Sequence, residues 1–248
     1  MINEHSFAAE QGVWNYLQAS AYSRSRSQGL RTAPTPVTPE GFTIAISREA
    51  GIDAGAYAHA IGEQLGWPVW DHELLELIAM RLGSNVNELE SLDERHISWI
   101  QESMEVFLLL HAVNQHTFVR HLHEVMEDLA ALGNCIIVGR GAPHILPPKT
   151  TLRVRLVAPL EQRAAAFQKQ MGIADAGRAA RELEKIDRER VRFVSEHFRK
   201  DSVDPAAYDV VLNISHFSQT DCARLVLDFL HAIEHPQIPE RKVSVTSA

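Results

Sequence analysis

The chain has 248 residues, is 45% hydrophobic and carries a formal charge of −8 with an isoelectric point near 5.9. That is enough apolar content to bury a core as one large domain, or as one domain with a lid or an inserted helical region. The acidic balance argues against a surface built for nucleic acid, two cysteines (Cys135 and Cys222) are too few for a disulfide scaffold, and no leader-like start or 18-residue apolar run suggests a membrane, so a cytoplasmic protein is expected.

Residues 1–40 read as an N-terminal extension. A short amphipathic helix carrying Phe7, Val13, Trp14 and Leu17 is followed by a flexible linker rich in Ser, Arg, Pro and Thr. The ordered domain is expected over 41–235. Within it five apolar runs recur, Thr43–Ile46, Pro68–Trp70, Cys135–Val138, Leu152–Val157 and Val210–Leu212, each separated by helical pattern. That alternation is the signature of βαβ units and predicts an α/β fold with a five-stranded parallel sheet.

Between the second and third runs lies a long helical region, 73–132. Ile97, Ile100, Met104, Phe107, Leu108 and His111 recur there at helical spacing, as do Phe118, Leu122, Val125, Met126 and Leu129. A crossover this long predicts a helical subdomain over the strand ends, where open α/β sheets bind ligands. A homodimer through this region is also expected. Residues 161–199 are expected to form one or two charged helices, and the tail 236–248 is read as loose.

Residues 43–66 have the layout of a phosphate-binding strand–loop–helix: an apolar run, a turn holding Gly51 and Gly55, and an Ala-rich helix closed by Gly66. Such a loop aims backbone N–H groups and a helix N-terminus at an anion. A working ATP loop reads G-x-x-x-x-G-K-[ST], and here Ala54, Gly55 and Ala56 stand where the last glycine, the lysine and the hydroxyl belong. A tight turn that packs a helix onto a sheet is the alternative.

Several side chains sit where ligands are met. Asp71 follows the second run and can face a ligand, with Glu73 behind it, or can cap the next helix. Arg140, between two glycines at a strand end, has the planar fork that suits phosphate, or a buried ion pair. Arg181, Lys185, Arg188, Arg190, Arg192, Arg199 and Lys200 cluster in the charged helix, interleaved with acids that suit an ordinary solvated face. His111, His116, His121 and His123 show no metal-ligand spacing, and neither a G-x-S-x-G motif nor a catalytic cysteine stands out.

Ser47-Arg48-Glu49-Ala50-Gly51, then Leu65–Leu75, Ile137–Ala142, Ala158–Arg163, Asp187–Arg190, Lys200-Asp201, Asp204-Pro205, Tyr208-Asp209 and Asn213–Ser215 together resemble the cytidylate kinase-like family, in order over roughly 42–233. The resemblance implies a P-loop NTPase-type three-layer fold, with 73–132 as acceptor-site insertion and 161–201 as lid. It further implies ATP-dependent phosphoryl transfer to a small acceptor, a nucleoside monophosphate such as CMP, with ATP and Mg2+ as cofactors. Arg48, Glu49, Gly51, Asp53 and Gly55 would then hold the donor, and Asp71, Arg140 and Arg163 the acceptor. Arg188, Arg190 and Asp71 would be catalytic.

The chain also departs from the family pattern, which reads S-R-E-x-G-S-G-G. Asp53 and Ala54 replace two glycines, Gly55 and Ala56 replace an Arg-Glu pair, and Ala166 and Gln170 stand where bases are usual. These departures keep two alternatives in view. One is a non-catalytic nucleotide-sensing or interaction protein, with Trp14 as a docking residue; the other is a kinase for a non-nucleotide small molecule, with Trp99, Phe107 and His116 near the acceptor.

Overall fold

A computed structural model describes residues 41–81 and 115–234. The expectations at 1–40, Trp99, Phe107, His111 and 236–248 lie outside the described residues. In chain order the elements are β1 (Thr43–Arg48), α1 (Ala54–Leu65), β2 (Val69–Trp70), α2 (Glu73–Arg81), α3 (Gln115–Leu132), β3 (Cys135–Val138), the short α4 (Ala142–Ile145), β4 (Thr151–Val157), α5 (Leu160–Met171), α6 (Ala176–Phe198), β5 (Val210–Asn213) and α7 (Gln219–Glu234).

The five strands form one sheet in the order β2-β3-β1-β4-β5, and every pairing is parallel. All five apolar runs read from the sequence are strands. They stand out because a parallel sheet covered on both faces needs continuous β-branched and aliphatic stretches. β1 runs two residues beyond the apolar stretch, through Ser47 and Arg48, pairing there with Arg155 and Leu156 of β4.

Alternate residues of each strand feed opposite cores. On one face Ala45 and Ile137 pack with Leu74, Leu77 and Ile78 of α2 and Phe118, Leu122 and Met126 of α3. On the other, Ile44, Ile46, Ile136, Val138 and Val154 pack with Ala58 and Ile61 of α1 and Val226 and Leu230 of α7. Each fully buried aliphatic side chain contributes about 1.5–3 kcal/mol relative to exposure. A third, smaller cluster joins α5 and α6 to the loop after β1 through Ala50, Ala164, Ala179, Leu183 and Ile186.

Two local expectations change. Gly55 was expected in the turn but lies in the first turn of α1, because the Asp53 side chain accepts the Ala56 N–H at 3.1 Å and starts the helix at Ala54. Asp71 was a candidate cap for the next helix, yet that helix begins at Glu73 and the bond runs the other way, from the Asp71 N–H to Glu73 Oε2 at 2.9 Å.

Candidate functional site

Several backbone donors of the loop after β1 are spent within the protein. Glu49 N–H donates to Leu156 O (3.1 Å), Ile52 N–H to Glu49 O (3.4 Å) and Ala54 N–H to Ile52 O (3.0 Å). Two further donors meet carboxylates: Ala50 N–H at Asp187 Oδ1 (2.7 Å) and Ala56 N–H at Asp53 Oδ1. Both carboxylates supply negative charge where a phosphate loop would receive it from a ligand.

Helices α5 and α6 close over this loop. Gly51 has φ +83°, and a Cβ there would lie 3.1 Å from both the Arg163 carbonyl oxygen and Leu183 Cδ2, so glycine is demanded by conformation and by contact. Arg163, 8% exposed, reaches back from α5. Its Nη1 donates to Ala50 O and to Asp187 Oδ2, each at 2.9 Å, and its Nε donates to Ala158 O at 2.9 Å and lies 3.3 Å from Glu49 Oε2. Glu49 Oε2 also accepts the Ala158 N–H at 3.0 Å. Glu49 and Arg163, expected at donor and acceptor respectively, thus form with Asp187 a clasp that sets the loop's shape.

Beside the clasp is a cavity of about 140 Å³, lined among others by Ser47, Arg48, Arg140, His144, Arg155 and Arg190. It sits at the carboxyl ends of β1 and β3 under α6, where this class of sheet exposes ligand sites. Arg48 ends β1. Arg140 follows β3 at φ +50° between Gly139 (φ +76°) and Gly141 (φ +79°), a left-handed placement that costs a non-glycine residue about 1–2 kcal/mol. Arg190 descends from α6 and donates from Nη1 to Arg48 O at 3.2 Å.

These guanidiniums are held against an electrostatic cost. Burial pulls Arg140 down to about 10 and Arg190 down to about 9, with Arg48 adding like-charge repulsion to each, and burial lowers Arg48 as well. The charge of Asp71 opposes all three shifts. Asp71 Oδ1 is sealed from solvent without a hydrogen-bond partner, and the negative charge of the carboxylate favours the charged form of the arginines. An anion entering the cavity would relieve the repulsion among Arg48, Arg140 and Arg190.

The structure therefore brings together Arg48, Arg140, Arg190 and Asp71, and keeps others apart. Arg188 is exposed, because two helical positions from Arg190 lie nearly opposite on the helix. Gly51 lies against α5 and α6, Arg163 belongs to α5, and Asp53 and Gly55 belong to the start of α1. Asp187, His144 and Arg155 were given no role from sequence. Arg155 did leave a signal: with Arg153 it is one of two charges in the mainly apolar β4, where a polar partner or a site explains a charge.

As to magnesium, no group of three or more His, Cys, Asp or Glu side chains that could hold a metal occurs among the described residues. Asp71 is the carboxylate nearest that role, but its charge already faces three arginines. No helix among the described residues is long and apolar enough to cross a membrane.

Residues 43–216 match the family model described as the cytidylate kinase-like family. No curated protein matches the chain significantly. Among solved structures, an uncharacterized protein from Eubacterium ventriosum ATCC 27560 superposes with a TM-score of 0.58 at 16% identity, over 77% of this chain and 99% of that one. Shikimate kinase from Acinetobacter baumannii in complex with shikimate gives 0.46 at 14% identity, over 80% and 98%. Shikimate kinase from Bacteroides thetaiotaomicron gives 0.44 at 14%, over 78% and 98%. At such identities the likeness is one of fold.

Proposed function

We propose that this chain, which belongs to the cytidylate kinase-like family, transfers a phosphoryl group from ATP to a small phosphorylated acceptor, a nucleoside monophosphate such as CMP, held in the arginine-lined cavity. Kinase-like membership supports phosphoryl transfer as the reaction class. The observation that carries the acceptor assignment is the convergence of Arg48, Arg140 and Arg190 on one buried space at the strand ends. Phosphoryl transfer asks a protein mainly for positioning and positive charge, and no side-chain nucleophile is needed.

In this reading Arg140 and Arg48 hold the acceptor phosphate, and Asp71 keeps their guanidiniums charged and oriented. Arg190, carried by α6, covers the reacting groups, while α5 and α6 act as the lid that excludes water. ATP would bring its phosphates to the Gly51–Gly55 segment, with Mg2+ carried on those phosphates. At about 140 Å³ the cavity is below the roughly 300–1,000 Å³ of drug-sized sites, and suits the phosphate end of a ligand.

A second reading, a non-catalytic nucleotide-binding protein, is favoured by the occupied loop: Ala50 and Ala56 N–H groups already meet carboxylates. A thermal-shift screen with ATP, GTP, CMP and dCMP, with and without Mg2+, followed by ADP release on each hit, separates the two. Stabilisation with turnover supports the kinase. Stabilisation without turnover supports the binding protein, and no stabilisation by any nucleotide removes both.

A further inference from the structure

His144, on α4, lines the same cavity, and its hydrogen bonds fix which ring nitrogen carries the proton. Its Nε2 lies 3.2 Å from the Tyr208 hydroxyl, with the two rings edge to face at 5.5 Å. The same hydroxyl donates to the Ser202 carbonyl oxygen at 2.8 Å. A carbonyl has no hydrogen to give, so the phenol hydrogen is committed there. Arg155 Nη1, a donor in every state, also points at this oxygen from 3.3 Å. Tyr208 can therefore offer His144 only a lone pair, and Nε2 must supply the hydrogen.

A neutral imidazole has a single N–H, which leaves Nδ1 as an acceptor. Burial, with Arg155, Arg153 and Lys200 nearby, holds His144 down to about 4, so the ring is neutral at pH 7. Among the described residues no donor reaches Nδ1. Of the other side-chain acceptors lining the cavity, Glu49 Oε2 is engaged by Ala158 N–H and Arg163, Asp187 by Ala50 N–H and Arg163, and Ser47 Oγ by Arg155 Nη1.

We infer that His144 Nδ1 is a specificity element that selects a phosphate ester carrying a hydroxyl over one offering phosphate alone. The inference rests on the reading of the cavity as a phosphate site. The ligand's donor is a hydroxyl and not an ammonium, because the surrounding side chains Arg48, Arg140, Arg155 and Arg190 disfavour a second positive charge. Arg155 and Tyr208 are positioning residues that hold the ring and its tautomer.

The test is calorimetric titration of the full chain with glycerol 3-phosphate and with methyl phosphate. The wild-type chain is expected to prefer glycerol 3-phosphate about two- to tenfold, as one neutral hydrogen bond allows. His144→Phe and His144→Leu should bring that ratio to about one without weakening methyl phosphate. His144→Asn, whose carbonyl can stand near the Nδ1 position, should retain part of the preference. Binding of both ligands by the wild-type chain without preference overturns this inference alone, and so does an unchanged ratio in a folded His144→Phe or His144→Leu chain. Failure of both ligands to bind the wild-type chain overturns the phosphate reading and this inference with it. The wild-type comparison needs no variant, so a misfolded one cannot hide the result.

Discussion

The backbone N–H of Ala50 donates to the Asp187 carboxylate at 2.7 Å, tying the loop after β1 to a helix 137 residues downstream. Arg163 completes the tie by bonding Asp187 and the Ala50 carbonyl together. Removing either charged partner leaves the other facing a partly buried space, at an expected cost of about 1–3 kcal/mol. Asp187→Ala and Arg163→Ala should each lower the urea midpoint, and the double variant should lose less than the sum of the two. Arg163→Lys should not restore stability, because one ammonium cannot serve the fork of acceptors. Additive losses would mean the two residues act independently.

Asp53 presents a second carboxylate at the start of α1. Asparagine is an equally good helix cap, so Asp53→Asn should keep the thermal midpoint while removing a negative charge from the approach of a triphosphate. Affinity for ATP by calorimetry is expected to rise several-fold. An unchanged affinity would show that the donor phosphates do not approach this end of the helix.

The sheet was legible because its chemistry is local. Ile-Ile-Val of β3 and Val-Arg-Leu-Val of β4 are strands by composition, and their parallel order follows from the helices between them. The phosphate-loop outline was legible for the same reason. What the loop does was not, since the Ala50–Asp187 and Glu49–Arg163 contacts join segments more than 100 residues apart. Arg188 and Arg190 look alike in a charged run, and only the face of α6 turned toward the sheet separates them. Arg140 was readable because two glycines around an arginine at a strand end announce an unusual backbone. His144 was not, because its role depends on Tyr208 and Ser202.

Gly141 lets the Arg140 turn pass beneath α6. At φ +79° a side chain is strained, and its Cβ would also overlap the Phe198 ring. Gly141→Ala is therefore expected to cost about 2 kcal/mol or more. Gly66→Ala shares the left-handed strain but meets nothing within 4 Å, so it should cost less. Thermal midpoints of the two variants make the comparison, and equal losses would remove the Phe198 contact as a cause.

The depressed His144 has a consequence for acid stability. Burial holds its folded value near 4 against an ordinary 6.5, so the unfolded chain takes up this proton first as pH falls. Stability should be flat with respect to this group above about pH 7 and drop as pH falls from 6.5 toward 4. His197, also lowered by burial, adds a contribution of the same sign. Urea midpoints at pH 7 and pH 5 should differ less in His144→Asn than in the wild-type chain, and an equal difference would contradict the shift.

The measurement that tests the central claim most directly is calorimetric titration of CMP into the wild-type chain and into Arg140→Ala, with ATP titrated into both as a reference. If the arginine cavity holds the acceptor phosphate, Arg140→Ala should weaken CMP about 10- to 100-fold, the worth of a charged hydrogen bond, and leave ATP binding unchanged. Equal CMP affinity in the two proteins, or equal loss of CMP and ATP, would contradict it.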